Sequence, residues 1–254
     1  MGHRPVLLLE AALNGARVHP HTPRTPEELA ATARACVAAG ARVLHLHPYD
    51  AAGRETLAAE PCAAALHAVQ VACPGIPISL STSAAIEPDP RRRRELVAAW
   101  TLLPELVTAN QGEAGIHELC DDVIARGVGI EAGLLSRADA DSFVRSGLAA
   151  VRSGLAARCV RVLIEPLDPD AAEAVAHAHA LEEVLQRAGS ALPQVHHGDG
   201  IASWAVNARA APRTRHANRP GGHAGLAQRT ASPGQCRAGA HGRRHDGGAW
   251  DRPC

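Results

Sequence analysis

The chain has 254 residues, 46% of them hydrophobic, which is enough for one large domain or two small ones. Its 26 basic residues balance 26 acidic ones, so no global field argues for a nucleic-acid partner. All 26 basic residues are arginine, and without lysine there is no Schiff-base, pyridoxal-phosphate, P-loop or carboxylated-lysine chemistry.

No apolar run approaches membrane-spanning length, and Met1-Gly2-His3-Arg4-Pro5 is not a signal peptide, so no membrane partner is expected. The seven cysteines are scattered, odd in number and without a Cys-x-x-Cys pair. They predict a reduced, cytoplasmic setting, with several serving as small core residues.

In chain order, Pro5 to Leu13 is a short apolar run that ends at Asn14-Gly15, a buried strand followed by a turn. Glu10 interrupts it, as a mouth-facing functional group or a misjudged edge; the first is the better reading. Thr25-Pro26-Glu27-Glu28 carries an N-cap, a proline at the first helical position and a capping-box glutamate. A helix should follow through Val37 and stop at Gly40. Val43 to Asp50 is the second strand. Its His45 and His47 share one face because strand side chains alternate. If that face points into a barrel mouth, both imidazoles converge where a divalent metal could bind. The alternative is two polar strand-end residues, hydrogen-bonded and idle.

The unit then repeats. Helices are predicted over 57–71, 90–100, 116–126, 138–157, 170–188 and 201–208. Strands are predicted over 76–80, 106–110, 129–134, 160–165 and 194–198. Strict alternation with short strands implies a parallel sheet, and a closed (β/α)8 TIM-type barrel is the expected α/β fold. Polar residues collect at the strand C-termini, where such a barrel holds its active site: Glu10, His45, His47, Ser81, Asn110, Glu131, Glu165 and His197. Val144 to Ala150 is repeated unchanged as Val151 to Ala157, which reads as a tolerated helical insertion. Arg91 to Arg94 could meet ligand phosphates, but a solvated helix start is the better reading.

From Ala211 the composition changes. Residues 211–254 contain no Val, Ile, Phe, Met, Tyr or Glu, and Leu226 is the single Leu. The expected division is a barrel over 1–210 and a disordered Arg/Gly/Ala/His/Pro-rich tail over 211–254. The tail also reads as a coding segment in the wrong frame. Arg215 to His223 back-translates as CGG CAC GCG AAC CGG CCT GGA GGA CAC. Moving one nucleotide forward gives Gly-Thr-Arg-Thr-Gly-Leu-Glu-Asp, although synonymous codons leave freedom at most positions.

Glu10-Ala-Ala-Leu-Asn-Gly15, Thr25-Pro-Glu-Glu-Leu-Ala30, Ala38 to His47, Ile78-Ser-Leu-Ser-Thr82 and His197-Gly-Asp-Gly200 together resemble the β-keto acid cleavage enzymes, the family of the 3-keto-5-aminohexanoate cleavage enzyme. The resemblance implies a (β/α)8 barrel that binds a divalent metal, usually zinc, with His45 and His47 as ligands. It implies catalytic or substrate-binding roles for Glu10, Ser81 and Asn110, with Asn110 at a family threonine position. It implies exchange between a β-keto acid and acetyl-CoA, giving acetoacetate and a new acyl-CoA, in a cytoplasmic homo-oligomer. The family's late glutamate, in Arg-x-Gly-Leu-Glu-Asp on strand eight, is absent here and is what the shifted frame supplies. The barrel should therefore lack a proper eighth strand, and function could be impaired. His196, His197, Glu131 and Glu165 are candidate substitutes for the lost ligand.

Two other classes compete. Amidohydrolase barrels also use His-x-His, but on strand one and often with a carboxylated lysine. A non-catalytic truncated barrel would fold poorly through unpaired sheet edges, or bind ligands without turnover.

Overall fold

Helix starts are set by the side chains that precede them. In the computed structural model, which describes residues 8–15, 19–147, 159–210 and 227–231, helix α1 (Pro26–Ala38) opens on the expected capping box. Thr25 Oγ1 accepts from Glu28 N at 3.2 Å, and Glu28 Oε2 accepts from Thr25 N at 3.1 Å. Asp89 caps α3 (Pro90–Ala98) and Asp170 caps α6 (Ala171–Arg187), each through two backbone N–H groups. Ser136 and Asp139 form a second capping box at α5 (Arg137–Arg145).

Between these helices lie strands β1 (Leu8–Ala12), β2 (Val43–Leu46), β3 (Ile78–Ser81), β4 (Leu106–Asn110), β5 (Gly129–Leu134), β6 (Cys159–Ile164) and β7 (Gln194–His196). The remaining helices are α2 (Ala59–Ala72), α4 (Ile116–Ala125) and α7 (Ala202–Ala210). All strand pairings are parallel, and the sheet closes on itself in sequence order. This is the expected barrel. Alternate strand residues such as Leu44, Ile78, Val107, Ile130 and Val162 are buried in one apolar cluster with Leu29, Leu66, Leu119 and Leu181 of the helices.

The eighth place is filled by β8 (Ala227–Ala231), drawn from the compositionally aberrant tail and paired in parallel with β1 and β7. Both neighbours would otherwise present unpaired backbone groups, and a ladder makes little demand on side-chain identity. The segment reads Ala-Gln-Arg-Thr-Ala and contains no carboxylate, so it closes the sheet without restoring the late glutamate. The disorder expected for the rest of the tail, and the stretch 215–223 with its alternative frame, lie outside the described residues.

Two local expectations are corrected. The helix expected over 138–157 stops at Arg145, because Gly147 follows the Ser146 cap in a left-handed conformation (φ 79°) that closes the turn. The copied heptad's second half lies outside the described residues. The arginine run is solvated at Arg91, Arg92 and Arg94 but not at Arg93, which is 1% exposed. Arg93 Nη2 donates to Ala114 O at 2.6 Å, and Nη1 lies 3.3 Å from Glu113 Oε2. Cys36, Cys62, Cys73, Cys120 and Cys159 are buried, as expected of core residues, and burial pushes the thiols of Cys62, Cys120 and Cys159 up to about 12.

Candidate functional site

The barrel's interior is charged. Glu10 of β1, His45 of β2, Glu131 of β5 and Arg161 of β6 come from four strands and meet inside the closed sheet. Arg161 is the register partner of Glu131 on the neighbouring strand. Its Nε and Nη2 both engage Glu131 Oε1, and Nη2 lies 3.3 Å from Glu10 Oε2. All three groups are almost fully buried, so each charge depends on the others for compensation. Burial, reinforced by the nearby Glu131, raises the Glu10 carboxyl well above its usual range despite the opposing Arg161.

His45 is held from two neighbouring strands. Its Nδ1 lies 3.4 Å from Ser79 Oγ and 3.3 Å from Thr108 Oγ1, and those hydroxyls are 3.3 Å apart. Burial, with His47, His197 and Arg161 nearby, drives its pKa well below the ordinary imidazole value, so the ring is neutral at pH 7. His47 follows β2, and its ring stands edge-on to His45 with centroids 5.1 Å apart. His47 Nδ1 lies 3.0 Å from Glu55 Oε1. Asn14 fixes the His47 backbone: its Oδ1 accepts from His47 N at 2.8 Å, and its Nδ2 donates to His47 O at 2.8 Å and to Pro23 O at 3.0 Å.

At the rim of the mouth, Asn110 ends β4 and donates from Nδ2 to Glu113 Oε1 at 2.9 Å. Ser83 Oγ donates to the same oxygen at 3.2 Å, and Arg93 sits against the other. The amide oxygen of Asn110 overlies Gly133, where an added Cβ would overlap it and come within 3.3 Å of Glu165 Oε2. Gly133 thus permits Asn110 and Glu165 to approach one another. Burial, with help from Glu131, raises the Glu165 carboxyl to about 7. His197 Nδ1 is 3.9 Å from Glu165 Oε1. Ser81 ends β3, and its Oγ accepts from Ser83 N at 3.4 Å.

Of the residues singled out from sequence, Glu10 and His45 share the central cluster, His47 stands beside it, and Ser81 and Asn110 lie one strand apart on the rim. Among the candidate substitute ligands, Glu131 enters the cluster, while Glu165 and His197 flank it. His196 faces the helices instead, with Nε2 2.8 Å from Glu182 Oε1 of α6, because successive strand residues point to opposite sides. Sequence reasoning passed over Arg161, Ser79, Thr108, Glu55 and Asn14. Arg161 had a signal, an arginine inside Val160-Arg-Val-Leu-Ile164; the hydroxyls had none.

The interior offers imidazole and carboxylate donors of the kind a divalent metal takes. The ligand atoms of Glu10, His45 and Glu131 lie within 4.8 Å of one another. The buried Oε2 atoms of Glu10 and Glu131 accept no hydrogen bond among the described residues. His45 and His47 are both held through Nδ1, so Nε2 is the ring nitrogen that each could offer to a metal.

Comparison with known proteins agrees with this architecture. The "Apo structure of ObcA" superposes with a TM-score of 0.60 at 16% identity, over 85% of this chain and 56% of that one, which speaks to the fold. The 3-keto-5-aminohexanoate cleavage enzyme of Acetoanaerobium sticklandii is 33% identical over 110 residues, covering 42% of this chain and 39% of that enzyme. The chain thus aligns with about two fifths of that curated relative. The family model for beta-keto acid cleavage enzymes matches residues 6–186. By that match, the chain belongs to the β-keto acid cleavage enzyme family.

Proposed function

We propose that the protein is a metal-dependent transferase that cleaves a β-keto acid and combines the fragment with acetyl-CoA, giving acetoacetate and a new acyl-CoA. Zinc is the proposed metal and His45 and His47 its proposed ligands. The observation that carries this reading is the pair of Nδ1-anchored imidazoles beside buried carboxylates at a barrel mouth, in a chain of this family. A bound divalent ion supplies Lewis-acid polarisation of a ketone oxygen, which bond cleavage next to that ketone requires. With no lysine in the chain, imine formation is not an alternative.

The chain's own residues have complementary roles. Glu165, with a pKa of about 7, is matched to accepting or giving a proton near neutral pH. Glu10 is the substrate-facing carboxylate of the interior, and Arg161 fixes its position. Ser79 and Thr108 orient His45, while Asn14 and Glu55 orient His47. Ser81 and Asn110 line the rim from which substrate enters, with Asn110 offering an amide oxygen over Gly133.

The test is to incubate the zinc-loaded protein with acetyl-CoA and a panel of β-keto acids, then follow acetoacetate and new thioesters by mass spectrometry. Formation of both, abolished in a His45→Ala, His47→Ala double variant, is expected. Absence of both products from the zinc-loaded chain would favour the second reading, a barrel without turnover. That reading draws on one feature, an eighth strand whose five residues offer no carboxylate.

A further inference from the structure

Two donor sets overlap at His45. One is the His45–His47 pair; the other is Glu10, His45 and Glu131, whose ligand atoms are close enough to surround a cation. Judged by donor spacing alone, the carboxylate set is the better-defined cage.

That cage already has a cation in contact with it. Arg161 holds Glu131 through two nitrogens and approaches Glu10 at 3.3 Å. A guanidinium does not deprotonate in proteins, and at 4% exposure Arg161 has little water to turn to. A divalent ion bound between Glu10 and Glu131 would sit next to this fixed positive charge and take away both of its counter-charges. Like charges in such close, buried contact repel strongly. Arg161 also acts on His45 through space, but a metal on the histidine pair leaves both of the guanidinium's carboxylates in place. His47 is backed by Glu55, a carboxylate that supports a cation on the far side of the ring.

We infer that Arg161 is a built-in cation that excludes a divalent metal from the Glu10–Glu131 carboxylates and reserves it for His45 and His47. The inference rests on the metal-dependent reading above. It leaves Glu10 and Glu131 available to substrate. It also gives Arg161, which touches neither proposed ligand through a hydrogen bond, a positioning role in metal selection.

Cobalt(II) titration of the purified full chain tests this, because its visible absorption reports the coordinating atoms independently of turnover. The expected results are that His47→Ala weakens Co²⁺ binding about tenfold or more, as loss of a ligand should, and that Glu131→Gln binds as the wild type does. Removing the guanidinium in His47→Ala, Arg161→Met should bring Co²⁺ binding back, with a spectrum shifted towards oxygen ligation. A tenfold loss in Glu131→Gln, or wild-type affinity in His47→Ala, would overturn the inference while leaving metal dependence intact. No stoichiometric Co²⁺ binding by the wild type would overturn both. A folded double variant that does not regain Co²⁺ binding would also overturn it; should that variant fail to fold, the outcomes of Glu131→Gln and His47→Ala named above can still overturn it.

Discussion

The carboxylate of Glu55 holds Nδ1 of His47 at 3.0 Å across the turn that follows β2. Burial raises the Glu55 carboxyl, but its hydrogen bond with His47 and the charge of that ring, aided by Tyr49, outweigh burial and leave its pKa below the ordinary value. Tyr49 OH is itself pinned to Gly15 O at 2.7 Å, so the whole turn is tied to the end of β1. Replacing Glu55 with alanine frees the ring to rotate and removes the charge behind it. A loss of about 10–100-fold in metal affinity is expected, the usual effect of removing such a supporting carboxylate. Competition with a chromophoric chelator measures it; an unchanged affinity would show that His47 is not a ligand.

Glu165 makes the metal-free fold weaken as pH rises. Its folded pKa of about 7 lies above the unfolded carboxyl value, so the native state binds more protons between those limits. Stability contributed by this group is therefore present below the unfolded pKa and is lost as pH rises through 7. The loss is at most about 3 kcal/mol across the window. Glu165→Gln removes the charge and should match the wild type near pH 4.5, then exceed it progressively up to pH 8. Urea unfolding of both proteins in chelator, across that range, is the measurement. Parallel curves would show that Glu165 is not strained when ionised.

The tail makes a prediction about the gene. If residues 215–223 are a shifted reading, resequencing through the codons for residues 205–225 should restore Arg-Thr-Gly-Leu-Glu-Asp. That would return a carboxylate to the C-terminal part of the barrel, and the restored protein should bind zinc at least about tenfold more tightly through the added ligand. A sequence that confirms the present frame removes this explanation of the compositional break.

The barrel was legible because it depends on repetition: alternating strands and capped helices recur until the chain has no other economical closure. The start of α1 was legible to the residue at Thr25, since a cap is a local chemical fact, and that of α6 to within one residue of Asp170. The end of α5 was missed because a repeated heptad looks like continuous helix, while Gly147 terminates it in three dimensions. Glu10, His45 and His47 stood out as polar residues in apolar runs. Ser79 and Thr108 did not, because an inward hydroxyl resembles any other small strand residue. Arg93 was misread for a related reason: within a run of four arginines, sequence does not show which one turns to Glu113. Arg161 required knowing that β5 and β6 pair with Glu131 opposite it, a register the sequence does not state.

Away from the mouth, Glu182 of α6 joins three elements, accepting from His196 Nε2 of β7 at 2.8 Å and from Arg209 Nε of α7 at 2.8 Å. Burial opposes its ionisation, but the hydrogen bonds and charges of His196 and Arg209 prevail and bring its pKa down to about 2. A depressed carboxyl stabilises the fold above its unfolded pKa, and that stability is lost as pH falls towards the folded value. The contribution at neutral pH is at most about 3 kcal/mol. Because 23% of the side chain is exposed, solvent screening reduces this, and about 1–2 kcal/mol is expected from Glu182→Gln at pH 7. The same substitution should cost little near pH 2, so the two unfolding curves should converge on acidification. A constant difference at all pH values would mean that Glu182 acts through packing rather than charge. Since α6 and α7 meet β7 at this residue, the substitution should also speed amide exchange in α7 before it affects the strands around His45.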